Sequence, residues 1–423
     1  MFHTLGDRIS LKYHFLFCGK EMLSRGAAWK RIYDPIHGFI PLTRLEVGIL
    51  DSCYLQRLRR IKQLGPADYV YPSATHTRFA HSLGTMLLAG KIAMLTGLND
   101  FEVKSVRLTG LLHDIGHMPF SHSIELVKHE KLGLAIIENY LADALGDHAE
   151  IVAKILSGEH RLSPIISSEI DADRIDYLVR DSYFTGLRYG LVDADRLVES
   201  LVLVEKAGRY GLAVREDAQA AVESLLIGRF QMFRRLYYHR TVGGFEAILS
   251  RFYEESVKEG AMPPPDEVLK GGGWCAFDDY SLVAEMRKLA RENSYIGELA
   301  RLFLTRRPLK LVVEAKLYLS GVSEKKHSFI VKLWRRGALL DELESLSNVP
   351  REWIFIHVPK MKLVKGDAPL FVIRDDGELV ELDKLGEGIL PRLYNLGYSP
   401  IRVYTKKEYA GELRRAVENI RGG

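Results

Sequence analysis

Residues Leu111–Glu125 read LLHDIGHMPFSHSIE, which puts His113, His117 and His122 in one short run, with Asp114 directly after the first histidine. The whole chain holds 14 histidines, so three in this run ask for a physical reason. The residues just before it, VKSVRLTGLL, carry apolar side chains near i, i+3 and i+4. They predict a buried helix ending at the His-Asp pair. A lone His-Asp pair at a helix end is more often a local hydrogen bond than a metal site, so the pair needs company before it implies chemistry.

Upstream, RFAHSLGTMLLAGKIAML (Arg78–Leu95) is apolar nearly all round and predicts another buried helix. Yet Arg78, His81, Ser82 and Thr85 fall at i, i+3, i+4 and i+7, one polar line along it. Such a line must be paired or must bind something, because an unpaired buried group costs about 1–3 kcal/mol. Downstream, SSEIDADRIDYLVRD gathers Asp171, Asp173, Asp176 and Asp181 with Arg174 and Arg180. Ser167 or Ser168 is its expected cap, and Asp173, Asp176, Tyr177 and Arg180 are expected on one face. Alone, these charges read as a solvated face, and His239 in YYHR as a partly buried histidine. Three buried helices that each offer ionisable groups read differently, because one divalent cation satisfies them together.

At 423 residues the chain is too long for one compact core, and two domains are expected. Hydrophobic content of 47% and charged content of 27% are ordinary for a globular protein, and a net charge of +4 argues for no extended nucleic-acid surface. No apolar run approaches the roughly 18 residues of a membrane span. Cys18, Cys53 and Cys275 are widely spaced and odd in number, which implies neither a disulfide framework nor a CxxC metal site and suits a reducing cytoplasm. LKYHFLFCGK near the N-terminus is a poor signal peptide, and Met22 is an alternative start.

From about Lys30 to Tyr253 the pattern is mostly helical. EGAMPPPDEVLKGGGWCAF reads as a loop, and helices resume at SLVAEMRKLA and YIGELARLFL. Beyond Pro308, LKLVVEAKLYL and EWIFIHV predict strands, LFVIRDDGELVEL a hairpin turning at Asp376-Gly377, and KEYAGELRRAVENI an amphipathic helix. The expectation is a mainly α protein: an unassigned extension over 1–28, an all-helical core over 29–307 and a smaller α+β domain over 308–423.

The order His, His-Asp, Asp on separate helices resembles the H…HD…D motif of the HD-domain phosphohydrolases. YDPIHGFI, LQRLRRIKQLG, YPSATHTRFAHSLG, LLHDIGHMPFSH, VKHE and IDADRIDYLVRD together resemble the dNTP triphosphohydrolase branch. The likeness covers about Lys30 to Val242, fades through the C-terminal region and includes no SAM domain of the kind vertebrate members carry. It implies that His81, His113, Asp114 and Asp173 are metal ligands. It implies that Arg78, Arg174, Arg229 and Tyr177 contact the triphosphate, that Gln63 and Leu64 contact sugar and base, and that Asp181 and Tyr237 grip a deoxyribose. His117, His122 and His129 match further active-site histidines, and Glu125 matches the carboxylate that partners His122.

Two imidazoles and two carboxylates leave open positions on an octahedral ion and suit Mn, Fe, Zn or Ni, with Mg²⁺ on the substrate phosphates. Such an ion lowers the pKa of bound water. Arginines take phosphate oxygens bidentately, and an imidazole titrating near neutrality, His122, is the expected acid for the leaving oxygen. The implied reaction is attack at the α-phosphorus, releasing a deoxynucleoside and inorganic triphosphate.

The resemblance also implies a homo-oligomer, dimer or tetramer, with dGTP or GTP as effector. Asp51, Gln56 and Arg59 match guanine-reading residues of that branch and Lys30 a phosphate contact, although DSCYLQRLRR alone reads as an amphipathic helix. Tyr33 and Phe39 depart from the asparagine and histidine of the adjacent second effector site. Two readings compete. One is a broader HD phosphohydrolase acting on nucleoside monophosphates or signalling nucleotides. The other is a nucleic-acid-binding or assembly protein with a structural HD site.

Overall fold

The computed structural model describes residues 28–124, 126–206, 208–320, 337–358, 370–384 and 396–422. The reading of an N-terminal extension and of Met22 as a start therefore lies outside the described residues, apart from residue 28. The first elements are strands, not helices. Lys30–Asp34 (β1) and Gly38–Leu42 (β2) pair antiparallel, with Lys30 opposite Leu42 and Asp34 opposite Gly38. The Asp34 carboxylate accepts from the backbone N–H of Ile36 (2.9 Å) and His37 (3.0 Å), and Gly38 takes a φ of 70°, which closes the turn. Ile40 and Leu42 then face the core while Tyr33 and Phe39 face out.

The helical body follows. Arg78–Leu95 (α1) is buried almost throughout, and Asp100–Leu112 (α2) starts on a capping box made by Asn99 and Glu102. Ala172–Thr185 (α3) is capped by Asp171, whose side chain accepts from the Arg174 N–H at 2.7 Å. The expected caps, Ser167 and Ser168, do not serve: the Ser168 N–H itself donates to Asp171, at 2.6 Å. The α1–α3 contact needs Gly84, where an added Cβ would lie 1.8 Å from Asp176 Oδ1.

A second hairpin interrupts the stretch read as helical. Leu201–Lys206 (β3) and Arg209–Arg215 (β4) pair around a turn with Gly208 at φ 75°. Val202, Val204 and Val214 in these short runs favour strand, and the turn glycine separates them. Helices Gln219–Met232 (α4), Arg240–Lys258 (α5), Asp279–Leu289 (α6) and Tyr295–Leu304 (α7) come next. The proline-rich stretch read as a loop holds a short helix, Pro265–Lys270, with proline at its first position, where no N–H is needed.

Strands Lys310–Ser320 (β5), Phe355–His357 (β6), Phe371–Ile373 (β7), Leu379–Glu381 (β8) and Leu396–Thr405 (β9) and helix Ala410–Gly422 (α8) complete the described chain. One sheet runs β5-β9-β6, all antiparallel. Another, separate from the β1–β2 pair, runs β3-β4-β7-β8, with β7 parallel to β4, so a sheet is shared across the boundary expected near residue 307. The β7–β8 turn has Gly377 at φ 87°. The protein is mainly α, a helical core followed by small sheets. Among the described residues no helix is long and apolar enough to cross a membrane.

The cysteine reading is corrected. Cys53 and Cys275, 222 residues apart in sequence, form a disulfide with Cα atoms 5.4 Å apart. Linear spacing hid this contact, which the buried Arg57 guanidinium braces by lying 4.2 Å over the Trp274 ring and donating to Phe277 O. A bridge closing so long a loop contributes about 2–5 kcal/mol. Thiol titration of the denatured, unreduced chain should find only Cys18, and all three cysteines after reduction. Three reactive thiols before reduction would show that the bridge does not form.

Candidate functional site

The polar line of α1, the C-terminal end of α2 and the first turn of α3 meet. His81 Nε2 lies 2.9 Å from Asp173 Oδ1, 3.2 Å from His113 Nε2 and 3.8 Å from Asp114 Oδ2. His113 Nε2 lies 3.3 Å from Asp114 Oδ1 and 3.7 Å from Asp173 Oδ1. One ligand atom from each of His81, His113 and Asp114 falls within 4.8 Å of the others. His81, His113 and Asp114 are buried, whereas the Asp173 side chain is 32% exposed and opens the cluster to solvent.

Each imidazole is oriented from behind. His81 Nδ1 lies 2.7 Å from Asp176 Oδ2, and the His113 Nδ1–H donates to Gly110 O at 2.8 Å. Both Nε2 atoms therefore face the cluster, as metal-ligating histidines require. Asp176 also takes Arg180 (2.8 and 2.9 Å) and His37 Nε2 (2.5 Å), and Arg180 reaches Asp34 at 2.8 Å. Burial lifts the Asp176 carboxyl, but Arg180, His37 and His81 outweigh it and hold it well below the usual range. The role of Asp34 and His37 is not legible from periodicity, although the Asp-Pro-x-His-Gly turn was a usable hairpin signal.

Burial pushes the His81 imidazolium down. The hydrogen bonds to Asp173 and Asp176, with the Asp114 charge, outweigh that and lift it to about 10. Burial likewise lowers His113, and Asp114 and Asp173 reverse the shift. Asp114 stays well below the carboxylate range because Arg78, His113 and His117 outweigh its burial; Arg78 donates to it at 2.6 Å.

A histidine trio adjoins the cluster. His117 Nε2 is 3.1 Å from Asp114 Oδ1, its ring stacks on His129 at 3.8 Å, and the exposed His122 sits edge-on at 4.7 Å. Ligand nitrogens of these three lie within 4.8 Å of one another. Burial, Arg78 and His129 push His117 well below the usual histidine value, so it is neutral at pH 7. Glu125, expected to partner His122, lies outside the described residues.

Beyond the cluster, α3 brings Tyr177 beside His81 (rings 6.5 Å apart) and beside Tyr237 (6.1 Å). The Tyr237 hydroxyl donates to Asp181 Oδ2 at 2.6 Å, and His76 Nε2 lies 2.8 Å from the other Asp181 oxygen. Arg174 and Arg229 converge on one residue not singled out in the sequence: buried Glu169, whose Oε2 lies 2.7 Å from Arg174 and 3.5 Å from Arg229. Gln63 and Leu64 are partly buried, with the Gln63 backbone N–H on His76 O at 3.0 Å.

The HD domain family matches residues 78–181, the segment holding α1, α2 and α3 as far as Asp181, and the HD associated region matches 192–421. An uncharacterised protein of Methanocaldococcus jannaschii is 34% identical over 404 residues, covering 91% of this chain and 81% of that one. The chain belongs to the HD-domain phosphohydrolase family.

This HD protein is also similar to a Dictyostelium discoideum protein named as a homolog of deoxynucleoside triphosphate triphosphohydrolase SAMHD1. The two are 29% identical over 259 residues, covering 54% of this chain and 49% of that one. The Gallus gallus deoxynucleoside triphosphate triphosphohydrolase SAMHD1 is 26% identical over 293 residues, 57% and 48% of the two chains. The HD chain thus spans about half the length of those two relatives. Among solved structures, a hypothetical protein of Aquifex aeolicus superposes with a TM-score of 0.73 at 25% identity over 92% of this chain and 99% of that one. A Bacteroides thetaiotaomicron phosphohydrolase shares the fold, with a TM-score of 0.71 at 23% identity over 89% and 100%.

The candidate effector residues lie on the surface of the HD protein. Gln56 donates to Leu50 O at 2.8 Å and accepts from Arg59 Nε at 2.9 Å, while Arg59 lies 3.6 Å over the Phe79 ring. Asp51 and Lys30 are exposed. Tyr33 and Phe39, 69% and 66% exposed, contact each other edge-on at 5.2 Å.

His81 gives stability a direction with pH. Its folded value of about 10 lies above its ordinary 6.5, so in metal-free protein its contribution is complete below about 6.5 and is lost as pH rises toward 10. Denaturant unfolding of chelator-treated protein should show stability falling between pH 7 and 10, and Asp176→Asn should flatten that fall. A wild-type curve with no such fall would contradict the His81–carboxylate account.

Proposed function

We propose that this HD protein is a metal-dependent deoxynucleoside triphosphate triphosphohydrolase that cleaves at the α-phosphorus, releasing deoxynucleoside and inorganic triphosphate. One observation carries the reading: α3 contributes Asp173 to the two-histidine, two-carboxylate cluster, Arg174 to the pair it makes with Arg229 of α4, and Tyr177 and Asp181 to the group that includes Tyr237. The names of the relatives from Dictyostelium and Gallus support it.

The donor set fits a divalent ion. His81, His113, Asp114 and Asp173 would hold it, with Mn, Fe, Zn or Ni suited to mixed nitrogen and oxygen donors and Mg²⁺ to the substrate phosphates. When bound, the ion supplies Lewis-acid polarisation and a water acidic enough to attack near neutral pH.

The remaining work falls to the chain. Arg174 and Arg229 take phosphate oxygens from positions fixed by Glu169, and Arg78 adds a third guanidinium on the Asp114 side. Neutral His117 donates or accepts without carrying charge. Exposed His122 delivers the proton to the leaving 5′ oxygen, with His129 beside it. Gln63 and Leu64 meet the sugar and base. Tyr237 and His76 already engage both Asp181 oxygens, which leaves little to satisfy a ribose 2′-hydroxyl and favours deoxyribose. dGTP or GTP acts at Lys30, Asp51, Gln56 and Arg59 in a homo-oligomer.

A broader phosphohydrolase, acting on nucleoside monophosphates or signalling nucleotides, is the second reading. The observation favouring it is Glu169, which partly neutralises the arginine pair and suits a less charged substrate.

Phosphorus NMR of metal-loaded protein with dATP, dCTP, dGTP, TTP and GTP should reveal inorganic triphosphate from the deoxynucleotides. Added dGTP should raise both the rate and the sedimenting mass. Pyrophosphate and monophosphate would refute the assigned bond, and turnover confined to monophosphates would favour the second reading.

A further inference from the structure

The loop that carries His117 and His122 is built in an unusual backbone state. Phe120 and Ser121 are consecutive non-glycine residues with φ of 55° and 58°. Left-handed pairs of this kind persist only where surrounding contacts over-determine them, and they gather at functional sites. Apart from Arg78, the contacts here come from outside the residues that match the HD domain family.

Buried Asp279, the first residue of α6, accepts the Phe120 N–H on Oδ1 at 2.7 Å and the Lys62 N–H on Oδ2 at 3.0 Å. Burial raises its carboxyl to about 6, still below neutral pH, so both oxygens remain acceptors. The circuit closes between its two partners. The Ser121 hydroxyl donates to Lys62 O at 2.6 Å, and Arg78 Nε donates to the Ser121 hydroxyl at 2.7 Å. Gly65 (φ 52°) allows the two segments to touch, since a Cβ there would meet Phe120 O and Ser123 Oγ at 2.9 Å. The Phe120 ring packs edge-on against Phe303 of α7 at 5.4 Å, a second tie to the associated region.

We propose that Asp279 is a positioning residue through which the HD associated region fixes two active-site segments at once. One is the loop bearing His117 and His122; the other is the segment bearing Gln63 and Leu64. Their roles in catalysis rest on the triphosphohydrolase reading above, but the mechanical coupling does not. A single carboxylate holding one backbone N–H from each segment sets their separation, and with it the distance from the proton-donating histidine to the sugar and base. Asp278, its neighbour, caps α6 and pairs with Arg60, so the two aspartates divide the work between helix start and site.

Asp279→Asn keeps the size of the side chain but turns one acceptor into an NH₂ facing a backbone N–H. Hydrogen–deuterium exchange on substrate-free, metal-free full-length protein should quicken by about tenfold or more over residues 117–124 and 61–65 together. Exchange over α1 and α2 should stay unchanged. With metal loaded, kcat should fall by about tenfold with metal content unaltered. Quickening in only one segment, in neither, or across the whole protein would overturn the coupling.

Should Asp279→Asn not fold, Ser121→Ala cuts the same circuit at the Lys62 carbonyl. It should produce the paired quickening in milder form, and its failure to do so would overturn the inference equally. If no deoxynucleotide is cleaved, the exchange result still decides this point, so the two failures are distinguishable.

Discussion

Asp176 is the side chain on which the site depends. It is fully buried and accepts from Arg180, His37 and His81, three donors from three elements. A lone buried carboxylate would be prohibitively costly, and removing one partner from such a group typically costs about 3–5 kcal/mol. The arrangement holds because Arg180 is in turn neutralised by Asp34, which also shapes the turn after β1. Gly84 then permits α3 to close on α1. Hairpin, α1 and α3 are thereby locked around one charge, and the His81 ring is aimed as a by-product of that lock.

The same economy recurs around the cluster. Glu169 gathers two arginines, Asp114 gathers Arg78 and His117, and Asp181 gathers His76 and Tyr237. Each carboxylate is satisfied by groups from different segments, so each fixes a distance between segments as well as a charge. Preorganisation of this kind aims hydrogen-bond donors before any ligand arrives, which is where such sites gain most of their effect.

How far the sequence showed this depends on the kind of signal. The helices were legible because apolar periodicity reports burial directly, and the polar line Arg78, His81, Ser82, Thr85 announced that α1 bore something. The convergence of His81, His113, Asp114 and Asp173 followed from the same logic together with family resemblance. Hairpins at residues 30–42 and 201–215 were hidden because short strands carry little periodicity. Cys53–Cys275, Glu169 with Arg229, and Asp279 with Phe120 were illegible for another reason: each is a long-range contact made by tertiary packing, which local pattern does not encode.

We propose His81, His113, Asp114 and Asp173 as the cradle for one cation. X-ray absorption spectroscopy on protein purified with its native metal tests it most directly. One ion per chain is expected, with two imidazole nitrogens and the rest oxygens in its coordination sphere. A three-imidazole sphere, pointing to His117, His122 and His129 instead, or a chain that retains no ion at all, would contradict it.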